Sequence, residues 1–515
     1  MRIVAAVALV EILSGPVAAH AVPPHPQSVL SQAARAMGRL PANATYQLRG
    51  SIEAEGQTGD YRETVRMRDG AFATHAQYAR FGEGDGYDGR VRWKQDRSGA
   101  SHALNAPFTK ADAVSLAWLK RRGFLQPGTA RIESVKREMI GGRRTTVLTM
   151  RPRGGNAIRL AFDDGTHLLV RVQRDLPLSV VTATYDDYRK VGDARAPFSI
   201  DIEDSGDHQL IHPSAYDRLA AWAPARFSAP PAPSDTEITG PATLPLGQDT
   251  TGGHGFAVAA ATINGRSYDF ILDTGGHNII SPAVLAELGL SAEGKGSSGG
   301  SGPGRAATSD TQIAELKLGS ATMTNQHFTV LDLGNALKRK NQPPLAGILG
   351  LEIFERMAVT IDEPGGQLTI EPFRAGRPCE GDRIPLLFDD DQPSVRGTID
   401  GIAALIGVDV GNGGIPIVLW RWAEAHGVAA RFRSGKEGSG SGVGGTNVTY
   451  RTPHHDILIG RTAIRDTDVN YATTPTGYFS SRADSMNLGR TLLQQHAVRF
   501  DYAQRLICVL PPRRP

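Results

Sequence analysis

Three observations predict a mainly β chain in which a β-rich block with one curved sheet precedes two similar β lobes. Alternating apolar and polar segments run through residues 22–225, a Pro- and Ala-rich break follows at 226–250, and beyond it a plan of strand, Asp-x-Gly and Gly-rich turn occurs twice. The length of 515 residues and a hydrophobic content of 40% are enough for several domains, each with its own core. With 56 basic against 53 acidic residues the net charge is only +3, so the basic footprint of a nucleic-acid-binding protein is missing and that class is set aside.

The chain opens MRIVAAVALVEILSGPVAAHA. A basic start at Arg2, a short apolar run and the small-x-small triplet Ala19-His20-Ala21 form the pattern of a secretory signal over residues 1–21, although Glu11 interrupts the run. No later stretch reaches the apolar length of a transmembrane helix. The expectation is export to a periplasmic or secreted location. Cys379 and Cys508 could pair there or remain two buried thiols, since sequence does not give the Cα separation that a disulfide needs.

Within 22–225, TTVLTMRP, AIRLAFDD, HLLVRVQR and PFSIDIED read as antiparallel strands with one buried face, and ADAVSLAWLKRRG reads as a short helix. Through GYDGRVRWKQD (86–96) and TATYDDYRKVGDARAPFSI (182–200) this block loosely resembles the half-barrel domain of bacterial lipoprotein-sorting carriers. That resemblance implies an apolar ligand on a concave face; an equally plain reading is a prodomain, or a docking module for a protein partner, that binds nothing small. Residues 226–250, lacking a sustained period, read as a protease-sensitive linker.

Two lobes are expected at 251–375 and 376–515. YDFILDTGGHNIISPAVLAELGL (268–290) and AALIGVDVGNGGIPIVLWRWAEAHGV (403–428) share an apolar strand, Asp-x-Gly, a Gly-rich turn and a Pro-started amphipathic helix. SGGSGPGR (298–305) answers GSGSGVGG (438–445), Ile348-Leu349-Gly350 answers Asn487-Leu488-Gly489, and each half closes with a hairpin. The Asp-x-Gly elements lie 136 positions apart and the later glycines 139. A carboxylate at the tip of such a turn is held by backbone N–H groups, and the glycine lets the chain turn tightly. Two such carboxylates facing each other cannot both ionise, so one can take a proton from water while the other donates to a developing oxyanion.

This half of the chain resembles the pepsin and retropepsin superfamily of aspartic proteases, most closely the bacterial retropepsin-like members. The resemblance implies a bilobal aspartic-protease fold with Asp273 and Asp409 as the catalytic pair and an aspartic-type endopeptidase activity on peptide or protein substrates. It also implies supporting loops at Thr274, Gly275, Val410, Gly411, Ile348, Leu349, Gly350, Leu488 and Gly489, and flap glycines at Gly300, Gly302, Gly440 and Gly442. His277 and Asn412 are candidates for the cleft. No metal and no organic cofactor is expected for this reaction, and a monomer with intramolecular lobe pairing would suffice. Val410 and Asn487 depart from the family pattern, which keeps open a pseudo-enzyme that only binds peptide or lipid.

Weaker candidates are Gly296-Ser297-Ser298-Gly299-Gly300, which matches G-x-S-x-G without a strand-to-helix context, and His454-His455-Asp456, which lacks a third spaced metal ligand.

Overall fold

A computed structural model describes residues 24–219, 224–249, 255–374, 376–473 and 476–511. The expected signal segment lies outside them. The fold class is the one expected, mainly β, with two lobes in one chain behind a β-rich domain.

The first domain is one open antiparallel sheet of thirteen strands among the described residues, from Thr45–Ala54 to Asp207–Leu219. Those two strands pair with each other at its centre, with a register shift at Arg49/Gly50. The four strands expected from alternation occur as Arg143–Pro152, Ile158–Asp163, Leu169–Asp175 and Ala194–Asp204. The helices Pro26–Met37 and Pro107–Lys120 both begin with Pro, whose missing N–H and fixed φ suit a first turn. They set Val29, Ala33, Met37 and Trp118 against Leu148, Leu160 and Phe162 of the sheet. Each of the larger side chains contributes roughly 1.5–3 kcal/mol by leaving water.

The segment expected as a linker carries three short strands. Thr236–Ile238 pairs with Ala321–Val330 of the first lobe, Ala242–Pro245 with Gln367–Glu371, and Gly247–Asp249 with Phe256–Ile263. Strands of three or four residues are too short to show a period, which is why the sequence reads as unstructured.

The two lobes repeat one topology. In the first, Arg266–Leu272 runs parallel to Gly347–Leu349, which also lies antiparallel to Ile279–Ile280. In the second, Ile402–Gly407 runs parallel to Met486–Asn487, which lies antiparallel to Ile417–Leu419. The closing hairpins of both halves merge into one sheet, where Ala358–Asp362 pairs antiparallel with Val498–Asp501. Cys379 and Cys508 form a disulfide with a Cα separation of 5.6 Å. The Pro-started helix occurs in the first lobe as Pro282–Glu287, capped by Ser281. In the second lobe Pro416 precedes a strand instead, and the helix is Trp420–Ala425, because Ile417–Leu419 is drawn into the ladder with Thr462–Ala472. No helix among the described residues is long and apolar enough to cross a membrane.

Candidate active site

Asp273 leaves the end of strand Arg266–Leu272, and its N–H donates to Leu349 O at 3.0 Å. Leu349 belongs to the strand that threads behind the loop, so the Ile348-Leu349-Gly350 triplet fixes where the Asp turn begins. Gly350 packs so closely on Gly276 and His277 that a Cβ would collide with their backbone. Asp409 emerges in the same way beyond Ile402–Gly407, where Leu488 N–H donates to Gly407 O at 2.9 Å.

The two loops meet. A Cβ on Gly275 would lie 2.8 Å from Asp409 Cγ, and one on Gly411 would collide with the Asp273 carboxylate. Each Asp-x-Gly glycine therefore leaves room for the other lobe's carboxylate, and both aspartates are half-buried residues. Asp273 Oδ1 accepts from Gly275 N–H at 2.7 Å. Asp409 Oδ1 accepts from Asn412 N–H at 3.2 Å, and its Oδ2 accepts from Asn487 Nδ2 at 2.6 Å. Burial, followed by the neighbouring Asp409 carboxylate, holds Asp273 protonated well above the usual carboxylate range.

Thr274, fully buried, donates from Oγ1 to Val408 O at 2.7 Å and accepts from Val410 N–H at 3.0 Å. One hydroxyl thus makes both bonds across the lobe contact, and Val410 contributes its backbone while its side chain packs in the core. Asn487, which looked like a blemish in an apolar triplet, orients Asp409 and in turn accepts from Asn412 Nδ2 at 2.8 Å. Sequence reading missed that role; its one signal was a polar residue where the first lobe has Ile348. Gly489 packs against Asn412.

The flap tips from the two lobes touch. Gly302 N–H donates to Val443 O and Gly304 N–H to Gly444 O, both at 2.8 Å. Gly444, at φ +88°, approaches Gly304 so closely that a Cβ would collide with its carbonyl. Tyr478 N–H donates to Gly300 O at 2.9 Å. Gly302 thus sits at a tip, whereas Gly440 and Gly442 lie in the strand Lys436–Gly442 leading to the other. The Ser tract at 296–300 is likewise mostly a flap strand, Glu293–Gly299.

His277 bridges two carboxylates, with Nδ1 2.9 Å from Glu352 Oε1 and Nε2 3.1 Å from Asp391 Oδ2. Burial opposes its charge, but Glu352 and Asp391 outweigh it and hold the imidazole well above its ordinary range. Glu352 also accepts from Asn278 N–H at 2.8 Å, which braces the turn after Asp273. His455 is buried between Thr452 and Asp400, and exposed His454 meets Asp466, so the two histidines point to different partners.

The first domain docks against this site. Lys94 reaches Asp390 and Asp391 at 2.7 and 2.6 Å, and His102 Nδ1 lies 2.8 Å from Glu355. Asp207 contacts Arg305 and Ser297 at the base of the first flap. A cavity of about 1310 Å³ runs from Leu48, Ile52 and Val181 of the first domain to Gly275, Gly300 and Tyr478 of the lobes.

Residues 259–353 match a family model described as aspartyl protease. Over that stretch the chain is similar to aspartyl proteases. Among solved structures, an aspartic proteinase from Irpex lacteus aligns with 12% identity over 53% of this chain and 97% of its own, at a TM-score of 0.35. A LolA superfamily protein from Nitrosomonas europaea aligns with 17% identity over 40% of this chain and 98% of its own, at a TM-score of 0.28. No curated protein matches this chain in sequence.

Proposed function

We propose that this chain is an aspartic endopeptidase whose water nucleophile is held between Asp273 and Asp409. The observation that carries the reading is the reciprocal seating of each carboxylate against the glycine of the opposite Asp-x-Gly turn. The pair shares one proton. The ionised member takes a proton from water as its oxygen attacks the scissile carbonyl, and the protonated member donates to the carbonyl oxygen. The tetrahedral intermediate then collapses, its C–N bond breaking as the amine takes a proton from the pair, and two peptides leave.

Substrate lies extended under the flaps, whose tips exchange their mutual backbone bonds for bonds to peptide backbone. Both carboxylates come from one chain, so a monomer is sufficient. Export to an oxidising compartment is supported by the Cys379–Cys508 disulfide. The first domain offers its concave face to an apolar ligand or a protein partner. The pseudo-enzyme alternative loses its main support, since Thr274 makes both bonds that Val410 cannot and Asn487 holds Asp409 in place.

Hydrolysis of unfolded casein across acid to neutral pH, abolished by a hydroxyl transition-state mimic and by Asp273→Asn, is the expected result. Casein left intact by well-folded protein would return the chain to a binding role.

A further inference from the structure

We infer that Asp96, His277 and Glu352 form a site for a divalent cation of the zinc class, binding the first domain to the first lobe beside the candidate active site. One ligand atom from each lies within 4.8 Å of the others. A tetrahedral site with arms of about 2.1 Å has edges of about 3.4 Å, so the widest separation closes by at most about 1.4 Å while the 2.9 Å contact of His277 Nδ1 with Glu352 opens slightly. One imidazole with two carboxylates is a nitrogen and oxygen set that suits zinc better than magnesium or calcium.

The independent observation is an orphan. Asp96 is only 8% exposed, its Oδ1 accepts from Ser98 N–H at 2.8 Å, and its Oδ2 is buried without a hydrogen-bond partner. A buried carboxylate oxygen with no donor is costly, and a cation is what such an atom lacks.

The ion would displace the His277 proton that now joins Glu352, leaving Nε2 to donate to Asp391. A ligand imidazole with its second nitrogen bonded to a carboxylate is the usual supported arrangement. The proposed hydrolysis is metal-free, so this ion takes no part in it; it joins the turn after strand Arg92–Gln95 to the Asp273 loop and to the helix Leu351–Arg356.

The test uses the full-length chain, stripped with a chelator and titrated with Zn²⁺ by calorimetry. One equivalent is expected to bind, at least tenfold more weakly in Asp96→Asn and in His277→Gln. Co²⁺ is expected to give visible absorption that both variants lose, and Zn²⁺ to raise the melting temperature of the wild type but not of Asp96→Asn. Asp273→Asn should bind Zn²⁺ as the wild type does, so failure of the protease reading leaves this one standing. No saturable binding to the wild type, or equal affinity in folded Asp96→Asn, overturns it. Should a variant not fold, zinc-edge anomalous scattering from wild-type crystals decides: a peak between the three side chains supports the site, and none there overturns it.

Discussion

Asn487 donates from Nδ2 to Asp409 Oδ2 at 2.6 Å, from the position that Ile348 fills in the first lobe. With Asn412 N–H on the other oxygen, Asp409 accepts two protein donors, whereas Asp273 accepts one. The lobes are thus alike in path and unlike in polarity, so the two members of the pair are held by different donors. Asn487→Leu should lower kcat/KM roughly ten- to a hundredfold, the value of a hydrogen bond of about 1.5–3 kcal/mol to a charged group. An unchanged kcat/KM in well-folded Asn487→Leu would mean that Asn487 only packs.

That contact also marks the limit of sequence reading here. The Asp273 and Asp409 turns were legible because the same apolar strand and Gly-rich bend surround both, and a repeat over several elements seldom arises by chance. Asn487 was visible only as a departure, since one residue carries no period. Asp96, Lys94 and His102 were invisible for a related reason: they act through partners far along the chain, as Lys94 does with Asp391, and nothing local distinguishes them from solvated turn residues. The strands in 236–249 were too short for alternation to register.

Thr274→Val should cost about 1–3 kcal/mol in urea unfolding, because the buried hydroxyl serves both Val408 O and Val410 N–H. Thr274→Ser keeps both bonds and should recover most of the loss. Equal stability of wild type and Thr274→Val would show those backbone groups finding other partners.

The Cys379–Cys508 bridge closes a loop of 129 residues across the closing sheet. Chain-entropy reasoning puts the stabilisation from such a loop near its upper end, about 5 kcal/mol. The double Cys→Ala variant should therefore melt well below the wild type, and the wild type should melt lower in reductant. A variant within about 1 kcal/mol of the wild type would leave the bridge incidental.

Limited proteolysis should spare residues 226–249. Phe227 is fully buried, its carbonyl accepts from Trp93 Nε1 at 2.8 Å, and Asp235 pairs with buried Arg356 at 2.6 Å. Residues 236–238, 242–245 and 247–249 lie in ladders and the stretch before them is anchored at Phe227 and Asp235, and backbone so held is a poor protease substrate. Early cleavage at Arg226, yielding separate stable fragments, would show the docking of this segment to be weak in solution.

The proposed pair makes a joint claim on activity and on stability. Asp273→Asn and Asp409→Asn should each abolish nearly all hydrolysis, and the double change should cost little more than either, since the carboxylates act as a unit. The pH dependence of stability follows from the raised protonation range of Asp273. The native state keeps this proton where the unfolded chain, with an Asp value of about 3.9, has released it. Native protons then exceed unfolded ones, so the slope of stability against pH is negative. The contribution is favourable in acid relative to neutral pH and is lost as pH rises from about 3.9 through the higher native value. Asp273→Asn removes that slope, so the variant should gain on the wild type between pH 4 and pH 7 in urea titrations while losing activity at every pH. Parallel stability curves would mean that the two carboxylates do not share a proton, and full activity in Asp409→Asn would reduce the second turn to a scaffold.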